Sequence, residues 1–247
     1  MNEPMKDFTD PRWTNLVESF RKRVEEDKKQ FDCWSTYVKL PEICPQPEFC
    51  LIGMEPGPGN DRNEPEYRNF IAKKGDFILN YCAYHYLGAK GFNYQITDMA
   101  KGGILIDDAR KTQSERYRIW LPLLKEELEL LGNPKKIFIG KRLYNDNMRE
   151  RYFPVSEVKV VLHHSNSNKK HVNDYFETIS NDRKYELPKN IKEEVKEIAV
   201  KLMEMHKYSE KLKDKIFKKE FSGEFTDHDK RLLTVYRYDF ETFTKSI

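Results

Sequence analysis

The chain is poor in cysteine: its 247 residues include only Cys33, Cys44, Cys50 and Cys82, with no C-x-x-C pair and no regular framework. A disulfide-stapled scaffold is thereby excluded, and the spacing suits a reducing cytoplasm. Long apolar runs are missing too. None approaches the ~20 residues needed to span a bilayer, and Met1–Asp10 is too polar for a signal peptide. Charge of one sign is also scarce. Lys+Arg 44 against Asp+Glu 41 leaves +3, so no global field announces a nucleic-acid or membrane partner. Internal repeats and low-complexity segments are absent. What the chain does have is charge of both signs, at 34% against roughly 25% for an average domain, with a mean hydropathy of −0.84. It also has 15 Phe, 14 Tyr and 3 Trp, ample material for a core. An intracellular, cytoplasmic globular protein follows as the expectation, large enough for one domain with a helical appendage.

Patterning sketches the architecture. Asp10 can cap a helix that begins at Pro11 and puts Trp13, Leu16, Val17, Phe20 and Val24 on one face. Phe49–Ile52 is a short apolar run that stops at Gly53, as a buried strand would, and a loop rich in Gly, Pro, Asn and charge follows over 53–67. Asp76 to Leu87 has helical spacing, while Phe92–Thr97, Lys136–Ile139 and Val158–Leu162 read as further strands. Pro122 is expected in the first turn of a helix whose body is Leu123–Leu131. Strands separated by helical segments argue for an α/β fold with a parallel sheet. After Pro188, Ile191, Val195, Ile198, Leu202, Met205, Leu212 and Ile216 recur at helical spacing. Within that stretch Lys207–Lys219 carries six Lys, read as a solvated face or else as a phosphate-binding surface. The expected layout is a catalytic domain over 1–188 and a charged helical extension over 189–247, packed on or beside it.

Two loops at expected strand ends stand out: Gly53-Met54-Glu55-Pro56-Gly57 after the first strand and His163-His164-Ser165-Asn166 after the fourth. In open α/β sheets ligands bind beyond the carboxyl ends of the strands. Here the sequence resembles the uracil-DNA glycosylase superfamily. GMEPG is similar to that family's first motif, and HHSN stands where its H-P-S-P motif falls. Phe70–Gly75 with Phe77-Ile78, Tyr94–Lys101, Pro122–Leu131 and Ile137–Gly140 resemble four intervening segments in the same order, so the likeness covers about residues 48–175. It implies a three-layer fold with a short four-stranded parallel sheet, and hydrolysis of the N-glycosidic bond of a flipped base in DNA to leave an abasic site.

The chemistry assigns parts to residues. Breaking that bond develops positive charge on the sugar and negative charge on the departing base. Glu55 stands at the family's activating carboxylate or amide position, and His163 at that of the donor to the base. The resemblance makes Gly53, Met54, Phe70 and Asp98 the base pocket, with Phe70 stacking on the extruded ring. It makes Pro56, Gly57, Lys101, Ser165, Asn166, Ser167, Asn168, Lys169 and Lys170 the DNA contacts. His163, His164 and His171 lack a Cys or carboxylate partner at ligand spacing, so no metal is expected. No iron–sulfur cluster or other cofactor is expected either. The partner is DNA, with no membrane, and the protein is expected to be monomeric.

Departures from the family pattern bear on the substrate. Uracil enzymes carry Asn where Asp98 stands, and an amide matches both N3–H and O4 of uracil. An ionised Asp98 only accepts, which suits the N4 amino group of a cytosine-type base; alternatively Asp98 pairs with Lys101. Gly57 replaces a Tyr that closes the pocket near C5 in one branch, so a 5-substituent is admissible. A modified cytosine of the kind found in some phage DNA fits, as does a prokaryotic antiviral role. The alternatives are a uracil-DNA glycosylase of base-excision repair, a non-catalytic DNA- or base-binding module, and a hydrolase of free nucleosides.

Overall fold

The structure, a computed structural model, describes residues 5–33, 35–57, 67–140, 153, 158–164, 169–179 and 186–245. The apolar run that ends at Gly53 forms strand β2 (Phe49–Gly53); β1 (Ser35–Tyr37) precedes it. Every residue of β2 is buried. A strand buried on both faces needs partners along both edges and a layer on each side. Strand β3 (Tyr94–Asp98) pairs along one edge and β5 (Lys135–Ile139) along the other. Strand β6 (Val158–Val161) extends the sheet beyond β5, all in parallel. The order is β3-β2-β5-β6. The α/β fold read from the sequence, a parallel four-stranded sheet flanked by helices, is therefore the one observed.

Strand periodicity divides the core in two. Phe49, Leu51, Ile137, Ile139 and Val161 face helix α2 (Lys74–Tyr86), helix α4 (Lys169–Thr178) and the C-terminal helices. Those are α5 (Ile191–Met205), α6 (Glu210–Glu220) and α7 (Asp227–Lys245). Cys50, Ile52, Phe138 and Val158 face the other way, against α1 (Pro11–Gln30) and α3 (Ile106–Leu130). Asp10 caps α1 as its position implies, accepting from the Arg12 N–H at 2.8 Å. All four cysteines are free thiols. Among the described residues no helix is long and apolar enough to cross a membrane.

One correction and one addition concern local structure. Pro122 does not open a helix; it lies inside α3, which starts at Ile106. The ring costs a backbone hydrogen bond there, but it sits on the exposed side while Trp120, Leu121, Leu124 and Leu128 are buried around it. Burial of that face holds the helix together across the break. Gly102–Ile104 forms β4, antiparallel to β1, a pair too short to stand out in the sequence. The Lys-rich α6 keeps Leu212 and Ile216 inside, so its lysines form the outer face of a packed amphipathic helix.

Candidate active site

Strand β2 is followed in sequence by its neighbour on one side, β3, and only later by β5 on the other. The carboxyl edge between β2 and β5 is thus a switch point, where open α/β sheets form crevices. A cleft of about 1110 Å³ lies there, and Glu55, Asp98, Gly140 and His163, which end or follow the four strands, all line it. Phe70, Met54 and Gly57 line it as well.

At the β2–β3 edge, Gly53 lies opposite Asp98 in the strand register. A Cβ on Gly53 would fall 2.4 Å from Asp98 Oδ1 and 2.7 Å from Phe70 Cζ, so only glycine allows the carboxylate and the ring to close over the strand end. The amide of Asn69 donates to Asp98 Oδ2 at 2.6 Å. Phe70 has φ 61°, in the left-handed region that a bulky residue avoids. Neighbours hold it there: buried Asn80 donates to the Phe70 carbonyl at 3.0 Å and accepts from the Tyr94 hydroxyl at 2.8 Å. Tyr208, just after α5, reaches over to accept from the Arg68 N–H at 2.8 Å and donate to the Ile71 carbonyl at 3.2 Å. The C-terminal segment thereby clamps the loop that carries Phe70. Strain maintained by several independent contacts beside a cleft is the pattern of a functional position.

The loop after β2 is pinned by backbone bonds from Met99 to Gly53, Ala100 to Met54 and Ile104 to Pro56. It presents Glu55 at the cleft, paired through Oε2 with the guanidinium of Arg116 on α3. Arg116 is buried, and that burial lowers its pKa. Among the described residues Arg116 is the partner of the Glu55 side chain, and Glu55 itself lines the cleft. Arg116 lies outside every motif, and nothing in the sequence linked it to Glu55.

Beyond β6 the two histidines stack, with ring centroids 4.7 Å apart. Burial, with the neighbouring His164 adding to it, pulls His163 down to about 3, so at neutral pH it is an uncharged imidazole with one N–H to donate. His164 Nε2 sits 2.9 Å from Asp76 Oδ1. Burial alone would push Asp76 up. The hydrogen bond and charge of His164, together with Lys73, outweigh it and hold the carboxyl below its usual range. Asp76 also accepts from the Lys73 N–H at 2.9 Å, capping α2. Gly75 is required beneath this pair, since a Cβ would come within 2.5 Å of His164 Cδ2. His164 is thus anchored on Asp76, and both histidines line the cleft.

The expected DNA contacts divide. Gly57 is exposed, and among the described residues nothing lies within 4 Å of a Cβ built there. Lys169 and Lys170 are exposed at the start of α4, and Lys73 lines the cleft. Two assignments are corrected. Pro56 is buried, its carbonyl accepting from Ile104. Lys101 is wholly buried: its Nζ donates to Glu127 Oε2 at 2.7 Å, to Thr97 Oγ1 at 2.9 Å and to the Asp98 carbonyl. A lysine committed in this way does not reach a phosphate, and it meets Asp98 through the backbone rather than the carboxylate. Ser165, Asn166, Ser167 and Asn168 lie outside the described residues. Asn69, Arg116, Asp76 and His164 complete the site; of these only His164 carried a signal, as the second histidine of the expected motif.

No protein-family model matches the chain, and no curated protein matches it in sequence. The chemistry therefore has to be read from the cleft. It combines a carboxylate on a fixed loop, an uncharged imidazole, a strained aromatic and an anchored acceptor at the end of β3. That set can stabilise a cation, donate to a leaving group and recognise the edge of a planar ring.

Proposed function

We propose that this chain is a DNA glycosylase that hydrolyses the N-glycosidic bond of a flipped, cytosine-type base and leaves an abasic site. The observation that carries the reading is the convergence of Gly53, Glu55, Phe70, Asp98 and His163 on one cleft at the carboxyl edge of the sheet. The ordered segments that resemble motifs of the uracil-DNA glycosylase superfamily support it as well. In this reading the extruded base stacks on Phe70, which replaces the neighbours it loses on leaving the helix. Asp98, steadied by Asn69, accepts from the exocyclic amino group. Glu55, paired with Arg116, lies beside the sugar, favours the cation and orients water toward C1′. As the C1′–N bond breaks, its electron pair leaves with the base, and the neutral His163 N–H donates to the base oxygen that takes up the charge. The water gives up a proton as it adds to C1′, and the departing base gains one. DNA is held by Lys73, Lys169, Lys170 and the loop at Gly57, which makes binding sensitive to salt.

A second reading is favoured by one observation. The Glu55–Arg116 pair is nearly buried, as a purely structural ion pair would be, which suits a base-binding module without turnover. Glu55→Gln separates the two. In an enzyme it abolishes abasic-site formation while DNA binding persists. In a binding module it leaves binding as it was, and the wild type forms no abasic sites.

A further inference from the structure

The cleft is larger than its proposed chemistry requires. Its volume of about 1110 Å³ exceeds the ~300–1,000 Å³ that encloses drug-sized ligands, and a bare pyrimidine on Phe70 would leave most of it empty. The unused part runs from His163 along Val160–Leu162 to α4. There His171, Asp174, Tyr175 and Thr178 all face the cleft at i, i+3, i+4 and i+7, one continuous polar stripe, while Val172 on its flank is buried. Beside the stripe, Asp239 of α7 also lines the cleft; it is 5% exposed and accepts a hydrogen bond from the Tyr175 hydroxyl at 2.7 Å. A buried carboxyl is costly unless hydrogen-bonded; this one fixes the direction of a phenol that borders the cleft.

We propose that this compartment is a subsite for a hydroxyl-bearing, sugar-like substituent carried on the base, which makes a glycosylated pyrimidine the substrate class. The inference rests on the glycosylase reading and deepens it. With the Tyr175 proton committed to Asp239, the phenol oxygen offers lone pairs. The Asp174 carboxylate also accepts, and Thr178 both accepts and donates. Such a wall complements a ring of hydroxyl groups, and the apolar edge of β6 complements its C–H face. Among the described residues nothing lies within 4 Å of a Cβ built at Gly57, which leaves room for the link between base and substituent. An ammonium-bearing substituent would compete for the Asp174 carboxylate, but the His171 imidazole in the stripe and the buried Asp239 carboxyl, pushed up to about 7, lessen the negative charge it would meet.

The test uses the full chain and duplex oligonucleotides carrying cytosine, 5-hydroxymethylcytosine, its glucosylated form, and 5-aminomethylcytosine, with kcat/KM for base release as the readout. The expected result is a preference of at least tenfold for the glucosylated base. Tyr175→Phe, and the exposed-site changes Asp174→Asn and Thr178→Val, each reduce that rate by about tenfold, as loss of a hydrogen bond would, and spare the unsubstituted base. The two exposed variants keep the test decisive if Tyr175→Phe fails to fold. Equal rates on cytosine and the glucosylated base overturn the subsite while the glycosylase reading stands. So does preference for the amine, or an equal loss on every base, which would mark a backbone contact. Release of no base at all by the wild type overturns the glycosylase reading and the subsite with it.

Discussion

Replacing Lys101 by methionine probes the junction between the core and the base pocket. The Lys101 and Glu127 side chains are both 0% exposed, with Nζ 2.7 Å from Oε2. Thr97 donates to Glu127 Oε1 at 2.8 Å and accepts from Lys101 at 2.9 Å, and the ammonium also lies 5.0 Å from the Phe20 ring centroid. Removing the ammonium leaves a buried carboxylate with only the Thr97 hydroxyl among the described residues, and breaking one side of a buried ion pair costs about 3–5 kcal/mol. Lys101→Met should therefore lower the unfolding free energy by about that amount, read from urea titrations at neutral pH with an unchanged slope. Lys101→Met/Glu127→Leu should recover most of the loss, because an apolar pair of similar volume is neutral or better in such a place. In the single variant the salt dependence of DNA binding should be unaltered, since no phosphate contact is lost. A loss below about 1 kcal/mol, or a salt slope reduced by about one ion, would refute the reasoning and return Lys101 to the DNA surface.

Gly53→Ala should abolish base release and lower Tm, because its Cβ would collide with Asp98 Oδ1 and the Phe70 ring together. Activity and melting assays on the purified variant check this, and wild-type activity would contradict the close approach. In acid, burial holds His163 near 3 and His206 near 4, against 6.5 when unfolded. The unfolded chain thus takes up protons first, and stability should be full above pH 6.5 and decline as pH falls toward 4. His206→Gln should flatten part of that decline in melting curves. Asp239 has the opposite sign: burial raises it from 3.8 to about 7, so its contribution is present below 3.8 and lost as pH rises through 7. Asp239→Asn should gain stability relative to wild type between pH 5 and 8, and a difference flat from pH 4 to 8 would contradict the burial argument.

The architecture was legible where one residue type imposes one geometry. The apolar runs at 49–52 and 136–139 lie within strands buried on both faces, and Asp10-Pro11 begins a helix. Pro122 misled because a proline marks a helix start only when tertiary packing does not override it; here Trp120 and Leu124 do. Part of the candidate site was legible for a related reason. Gly53, Glu55, Asp98 and His163 sit at strand ends or just past them, where topology alone gathers them, whereas Phe70, on the loop before α2, was legible only through the resemblance. Lys101 was misjudged because a lysine three residues beyond a strand reads as surface until the carboxylate facing it, 26 positions away in the sequence, is known. Arg116 and the α4–Asp239 contact were hidden likewise, being pairings between elements distant in sequence, a loop with α3 and α4 with α7, that no local pattern announces.

The most direct measurement is abasic-site formation by the purified chain on duplexes bearing cytosine, uracil or 5-substituted cytosines, with Glu55→Gln alongside. We expect strand breaks on alkaline treatment at a cytosine-type base with the wild type and none with Glu55→Gln. Cleavage at uracil alone would contradict the reading of Asp98, and no cleavage at any base would contradict the glycosylase itself.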